Sequence, residues 1–445
     1  MIVHGAAIID LLNPFFIKMQ FCDLFSGIGG ISLALKDHVE TVLYCEKDKF
    51  CQNVLLARQN DGSIDQAPIH TDICNLHLGS GIQPNIIGGG FPCQDISTAG
   101  VQKGIIGGDR SSLFYEIMRL IDENPCIKYI FLENVSNILK CGMKEVVDEL
   151  SKRNFDFQWT MKSAGSMGAP HVRNRWFLLG RRYGPNGELP KTICASSLMW
   201  ENEPLERVSF KPNSGIDDES FDTNWIQRCQ ALGNTVVPCV VENAFVELWN
   251  GLLHSNKIVE CLGQYSVSLS EMKYPYPEAG IVCNGQFIGL PQKNVKISSP
   301  QVSISICQGN MINYPTPRRG TTHASTSLSD RSLHDLPTIL INSDESKKYV
   351  KTRYGKNPEK LTSIVTPNVN YIEWMMGYSP NWTRIVQQDG PKKTGIINTP
   401  KCRKQNGMHI FMKDNPGKDV KTIAGMWRAL SSDLKASYSA QIKSI

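Results

Sequence analysis

The chain has 445 residues, 41% of them hydrophobic and 20% charged, with a formal net charge of +5. The length exceeds what one compact core usually holds, and the composition is that of a soluble globular protein whose mild basicity permits a polyanionic partner without demanding one. Fourteen cysteines, no two of them separated by two residues, exclude clustered zinc ligands and a secreted disulfide scaffold. Reduced thiols in an intracellular protein are expected.

Met1–Gln20 is apolar, but it lacks a basic start, and Asp10, Asn13 and Pro14 interrupt it, so residues 1–18 read as an extension and not a signal peptide. No other segment is expected to approach the ~20 apolar residues of a membrane span. From Met19 to about residue 180, apolar runs alternate with longer mixed segments. MQFCDLF, TVLYCEK, NIIGGG, YIFLENV and RWFLLG read as buried strands; ISLALKDHV, KFCQNVLLARQ, SSLFYEIMRLIDEN and MKEVVDELSKR read as helices. Such alternation predicts a doubly wound α/β sheet with ligands at the carboxyl ends of its strands. Residues 181–222, with Pro185, Pro190, Pro204 and Pro212, read as an irregular connection, and a helix follows over Gln230–Trp249. Beyond Leu252, serines, prolines and short strands such as VSISICQ predict a second, smaller domain that is irregular and β-rich. The expected division is 1–18, 19–252 and 253–445.

The strand ends carry the chemistry. Gly27, Gly29 and Gly30 give a tight turn between a strand and a helix N-terminus, which fits a nucleotide-like ligand or a purely structural turn. Glu46 ends the second strand, where a carboxylate grips ribose hydroxyls, and Asp72 ends a third. Cys93, in Pro92-Cys93-Gln94, follows a glycine turn on an exposed loop, ahead of a glycine-rich stretch bearing Lys103 and Arg110. Glu133 ends another strand as a possible cap or proton donor, and His171-Val-Arg173-Asn-Arg175 offers two guanidiniums.

Taken in order, Phe25-Ser26-Gly27-Ile28-Gly29-Gly30, Glu46, Asp72, Pro92-Cys93-Gln94, Glu133-Asn134-Val135, Arg173-x-Arg175 and Arg228–Pro238 resemble the C5-cytosine DNA methyltransferase family, over roughly residues 19–250. The resemblance implies a Rossmann-like methyltransferase sheet, S-adenosylmethionine as cofactor, no metal, and double-stranded DNA as partner. Phe25, Ser26, Gly27, Gly29 and Gly30 would wrap the cofactor, Glu46 would hold its ribose and Asp72 its adenine, with Ile73, Pro92, Asn234 and Val236 at the same pocket. Cys93 would add to C6 of a flipped cytosine, Glu133 would protonate N3, and Arg175, with Arg173 beside it, would steady the base.

His171 stands where the family more often has Gln, and only about fifty residues separate Arg175 from the last block, where the family usually inserts its recognition domain. Instead, Tyr314–His323 and Leu336-Pro-Thr resemble a recognition module of phage-type methyltransferases, and Asn370–Trp382 resembles the block that normally precedes the last one. The order therefore reads as rearranged, with target recognition in 253–445, in a restriction–modification or viral system. DNA contacts are expected from Gln94, Lys103, Arg110, Arg318 and Arg319, in a protein acting as a monomer inside a bacterial cell, or in host cytoplasm or nucleus if viral. The alternatives are a tRNA cytosine-5 methyltransferase of the same fold, whose Cys-Phe-Thr segment is absent here, and a catalytically silent DNA-binding relative, against which intact Cys93, Glu133 and Arg175 argue.

Overall fold

Five parallel strands rich in Ile, Leu, Val and Phe build the centre of the molecule: β1 (Met19–Leu24), β2 (Val39–Cys45), β3 (Ile69–His70), β4 (Ile86–Gly90) and β5 (Tyr129–Val135). Such strands read as near-continuous apolar runs because helices cover both of their faces. The computed structural model describes residues 18–79, 81–92, 113–182, 192–196, 206–211, 223–253, 267–268, 276–289, 317, 336–354, 361, 365–385 and 396–397. All of these belong to a unit ending at Ile397, and a second unit, Asn398–Ile445, lies outside the described residues.

The connecting helices are α1 (Gly30–Leu35), α2 (Lys49–Asn60), α3 (Leu113–Glu123), α4 (Ile138–Cys141) and α5 (Met143–Lys152). The Asp48 side chain caps α2 by accepting from Cys51 N at 3.0 Å. The strands β6 (Phe155–Ser163) and β7 (Asn174–Arg182) follow, then β8 (Val208–Phe210) and the helices α6 (Trp225–Asn234) and α7 (Pro238–Leu253). Sequence periodicity predicts one helix over Gln230–Trp249. The chain instead breaks at Thr235, whose backbone is extended, because Pro238 lacks an N–H and can only start a new helix.

Trp225–Leu253 also corrects the expectation that no segment beyond the N-terminus has membrane-span character. Its best 18-residue window has a mean hydropathy of 1.3, but 67% of that window is buried inside the fold. It is apolar because it lies on the sheet. α1, α2, α6 and α7 share one apolar cluster on that face, and α3, α4 and α5 share another on the opposite face. The result is a three-layer α/β/α sandwich.

Among the described residues one sheet runs β13-β3-β2-β1-β4-β5-β7-β6-β10-β11-β9. Here β9 is Val267–Ser268, β10 Gly280–Cys283, β11 Gln286–Gly289 and β13 Ile396–Ile397. Three of these findings bear on the expected boundary at residue 252. β10 pairs antiparallel with β6 through Ile281 and Gln158; Asn284 and Gly285, both at positive φ, turn the β10–β11 hairpin; and β13 pairs with β3. The sheet therefore continues across residue 252, and packing does not divide there.

The described part of the tail is also more helical than expected. α8 (Leu336–Asn342) and α9 (Asp344–Tyr354) cover a two-stranded sheet of β8 and β12 (Val365–Pro367), around Val208, Phe210, Ile341, Val350 and Val365. VSISICQ lies outside the described residues. Next comes α10 (Val369–Met375), which packs on α6. Arg228 of α6 and Glu373 of α10 form an ion pair of 2.9 Å, with side chains only 1% and 0% exposed. Thr383 bridges it, accepting from Arg228 Nε at 2.9 Å and donating to Glu373 Oε1 at 2.5 Å, while Asn370 Oδ1 accepts from Arg228 Nη2 at 3.1 Å.

Removing one partner strands a buried charge. Glu373→Ala is therefore expected to lower stability by about 3–5 kcal/mol in denaturant unfolding, and a loss below about 1 kcal/mol would show that this pair does not hold the tail to the core.

Candidate active site

Among the described residues, the Phe25–Gly30 turn, Glu46, Asp72, Pro92, Glu133 and Arg175 lie at the carboxyl edge of the parallel strands. β1 and β4 are adjacent and parallel, with Leu24 opposite Gly89, so the turn after β1 and the Phe91-Pro92 step after β4 start side by side. The connections leave these strands in opposite directions, which makes this the crevice of the sheet. β7 runs antiparallel to β5 with Arg175 opposite Val135, and its first residues thereby reach the same edge.

The turn after β1 is tightly built. Phe25, Gly27 and Gly29 all have positive φ, at 55°, 54° and 83°, and a non-glycine aromatic held there marks a functional constraint. Ser26 Oγ donates to Asp23 O at 2.7 Å and accepts from Cys45 N at 3.2 Å, which ties the turn to the end of β2. Glu46 takes Gly27 N–H on one carboxylate oxygen and Asp48 N–H on the other, both at 2.7 Å. Burial raises its pKa and these N–H bonds oppose the rise. Each oxygen keeps a lone pair for a hydroxyl.

Asp72 accepts from Lys47 Nζ at 2.8 Å and from Cys74 N at 3.2 Å; partial desolvation works against it, yet these bonds hold its pKa below the usual carboxylate value. Ile73 is buried beside it. A Cβ on Gly27 would meet nothing within 4 Å, so the turn faces open space. A pinned diol acceptor, an anionic residue at the next strand end and a left-handed turn over free volume fit an adenosyl cofactor. Val236 packs at the same turn, while Asn234 is exposed at the end of α6.

Glu133 pairs in register with Gly90, three residues before Cys93, and a Cβ on Gly90 would lie 2.6 Å from its Oε2. Arg175 Nε meets Glu133 Oε1 at 2.9 Å. Burial dominates at Glu133 and raises its pKa, although both Arg175 and Arg173 pull it down. Burial thus favours the neutral carboxyl and the two guanidiniums favour the ionised one. Asn134 Nδ2 donates to Phe91 O at 3.3 Å and braces the segment leading to Pro92.

Arg173 differs from the expectation of a second catalytic guanidinium. It is 5% exposed and donates to the backbone carbonyls of Pro317, Gly233 and Thr235. It anchors the α6–α7 junction instead of presenting its charge to a base. His171 is fully buried, and its Nε2 lies 3.0 Å from Met375 O. Burial first, and Arg173 next, lower its pKa to about 4, so the ring is neutral and donates to that carbonyl. Its role is to hold α10. Cys93, Gln94, Lys103, Arg110, Arg318 and Arg319 lie outside the described residues. Among the described residues no His, Cys, Asp and Glu cluster suits a metal, and ten cysteines are free thiols.

Asp23 is a residue that strand-end reasoning passed over. It is completely buried under the turn and accepts from Ser32 Oγ at 2.5 Å, with Thr41 Oγ1 donating to Ser32 Oγ at 3.0 Å. Burial raises its pKa to about 7; the Ser32 bond opposes this and the charge of Glu46 adds to it.

Residues 19–236 match the C-5 cytosine-specific DNA methylase family. The chain is 29% identical over 395 residues to Type II methyltransferase M.CviJI of Paramecium bursaria Chlorella virus IL3A, covering 82% of this chain and 98% of that one. It is 30% identical over 272 residues to Type II methyltransferase M.BanI of Aneurinibacillus aneurinilyticus, covering 57% of this chain and 59% of that protein. Type II methyltransferase M.HhaI of Haemophilus parahaemolyticus is 31% identical over 166 residues, 36% of this chain and 48% of its own length. The chain thus spans nearly all of the viral relative but only about half of the two bacterial ones. The S. pombe Dnmt2 methyltransferase structure aligns with a TM-score of 0.30 at 20% identity, over 38% of this chain and 51% of that one.

A raised carboxyl pKa means that the folded chain binds a proton the unfolded chain has already lost. The contribution of Asp23 is full below its unfolded value and is lost as pH climbs through about 7. The stability difference between the parent chain and Asp23→Asn is expected to fall between about pH 4 and pH 7, and thermal melts across that range that stay parallel would refute it.

Proposed function

The chain belongs to the C-5 cytosine-specific DNA methylase family, and on that premise we propose that it methylates C5 of a flipped cytosine in duplex DNA, through a covalent bond from Cys93 to C6. The observation that carries the reading is Glu133, a buried carboxyl of raised pKa paired with Arg175 and set over Gly90 just before Pro92-Cys93.

Cytosine C5 is a weak nucleophile while the ring is aromatic. Attack of the Cys93 thiolate forms an S–C6 bond, and the displaced electron pair is neutralised by the Glu133 proton at N3. C5 is then enamine-like. Bound S-adenosylmethionine supplies an electrophilic methyl group. Glu46 would hold its ribose, Asp72 its adenine amino group, and the Phe25–Gly30 turn would cradle the rest. Formation of the C5–methyl bond would break the methyl–sulfonium bond and leave S-adenosylhomocysteine; the C5 proton then leaves to solvent, the C6–S bond breaks to return the Cys93 thiolate, and the N3 proton returns to Glu133. Arg175 would hold the Glu133 carboxyl and the polar edge of the base. The base must leave the duplex for any of this to occur.

By the family resemblance, Gln94, Lys103, Arg110, Arg318 and Arg319 would contact the DNA, as basic and polar groups suited to phosphates. The relatives named above from a virus and from bacteria suit a DNA-modifying enzyme of a restriction–modification or viral system; we take it to act inside a cell as a single chain. Target recognition falls to parts of 253–445 other than the strands and α10 that complete the core.

Incubation with labelled S-adenosylmethionine and either duplex DNA or tRNA is expected to label DNA alone, at C5 of cytosine. Cys93→Ala should abolish transfer, and Glu133→Gln should lower kcat roughly 100-fold or more. Label confined to tRNA, or full activity in Cys93→Ala, would overturn the reading.

A further inference from the structure

The block Asn370–Trp382 sits in the stretch of chain expected to read DNA, yet its side chains close on the turn after β1 from behind. Trp382, 3% exposed, donates its indole Nε1–H to Ile28 O at 3.0 Å, and Ile28 lies between Gly27 and Gly29 in that turn. The Tyr378 hydroxyl donates to Val236 O at 3.1 Å and accepts from Thr235 Oγ1 at 2.7 Å. Gly30 opens α1 at the same point. A Cβ there would come within 2.3 Å of Tyr378 OH, 2.8 Å of Val236 Cγ2 and 3.0 Å of Thr235 Oγ1, so the tyrosine occupies the place of that missing side chain. The two rings pack 5.3 Å apart, and Arg58 of α2 stacks 5.5 Å over Trp382.

We infer that Tyr378 and Trp382 are positioning residues of the cofactor turn, so that the C-terminal segment sets affinity for S-adenosylmethionine as well as completing the fold. The inference rests on the reading above that this turn holds that cofactor. The turn carries positive φ at Phe25 as well as at Gly27 and Gly29, and at a non-glycine residue that conformation persists where surrounding contacts fix it. The indole bond restrains the middle of the turn and the hydroxyl bonds restrain its junction with α1 and Val236. The anchors of the segment lie elsewhere, in the Arg228–Glu373–Thr383 network and in the His171 bond to Met375 O. Removing the indole N–H or the phenol hydroxyl therefore loosens the turn while leaving the segment docked. Because coupling between two elements is reciprocal, cofactor binding must in turn tighten the segment.

The test measures S-adenosylmethionine affinity by titration calorimetry on the full chain, with Trp382→Phe and Tyr378→Phe beside a control, Trp374→Phe. Trp374 lies on α10 but packs with Tyr371, Leu336 and Leu340, away from the turn. The expected result is a Kd for S-adenosylmethionine raised roughly fivefold or more in the first two variants, with the KM for DNA and kcat at saturating cofactor unchanged and the control like the parent. Unchanged affinity in folded Trp382→Phe and Tyr378→Phe would overturn the inference, as would an equal loss in all three variants, which marks a general packing defect. Should the variants fail to fold, hydrogen exchange on the parent chain decides: cofactor should protect residues 376–383 together with 25–30, and protection limited to 25–30 overturns it. A parent chain that does not bind S-adenosylmethionine at all would sink the functional reading instead, so the two failures are distinguishable.

Discussion

Arg228 and Glu373 are separated by 145 residues of sequence and by no solvent. Neither charge can be left alone in that interior, because an unpaired buried ion costs several kcal/mol, so the pair sets where α10 must dock once α6 lies on the sheet. Thr383 and Asn370 complete the hydrogen bonding and fix the rotation of the segment as well as its distance. The placement of Tyr378 and Trp382 against the turn after β1 follows from that one match. So does the contact from His171, whose neutral ring suits a carbonyl partner better than a water-filled site.

The sheet supplies the other constraint. Parallel strands collect their carboxyl ends on one edge, and the β1–β4 pairing puts the Phe25–Gly30 turn beside the Phe91-Pro92 step. β7 enters in reverse between β5 and β6, which allows a residue at the start of a strand, Arg175, to meet one near the end of another, Glu133. Burial and the guanidinium then act on Glu133 in opposite senses, and burial prevails. The carboxyl is thereby biased toward its neutral form while a fixed charge holds it in place.

Much of this was legible from residue patterns. The five central parallel strands, among them the short β3 ahead of Asp72, together with β7 and the helices α1, α2, α3 and α5, fall where residue patterns predict them. β6 was missed, although Phe155, Phe157 and Trp159 alternate with Asp156, Gln158 and Thr160 in the period of a strand; all six prove buried. The β10–β11 hairpin carried a local signal, Asn284-Gly285, inside a tail whose serines and prolines suggested irregularity. Both misses share a cause: each strand depends on a partner far away in sequence, α7 packed on β6 and β6 hydrogen-bonded along β10.

The sequence by itself determined which reactive groups stand at the strand ends. A thiol after a glycine turn, acids at three strand ends and an Arg-x-Arg step are local features, each fixed by a residue type and its place at the end of a short element. Tertiary structure decided which of those groups meet. It gave Arg175 to Glu133 and Arg173 to backbone carbonyls, although the two are neighbours of the same type, because adjacent-but-one residues entering a strand meet different surroundings. It also packed Asn370–Trp382 against the turn after β1 instead of leaving it to a separate tail domain. Pairing of buried charges and packing around a glycine without a side chain depend on contacts some 140 to 350 residues apart, and no local pattern records them.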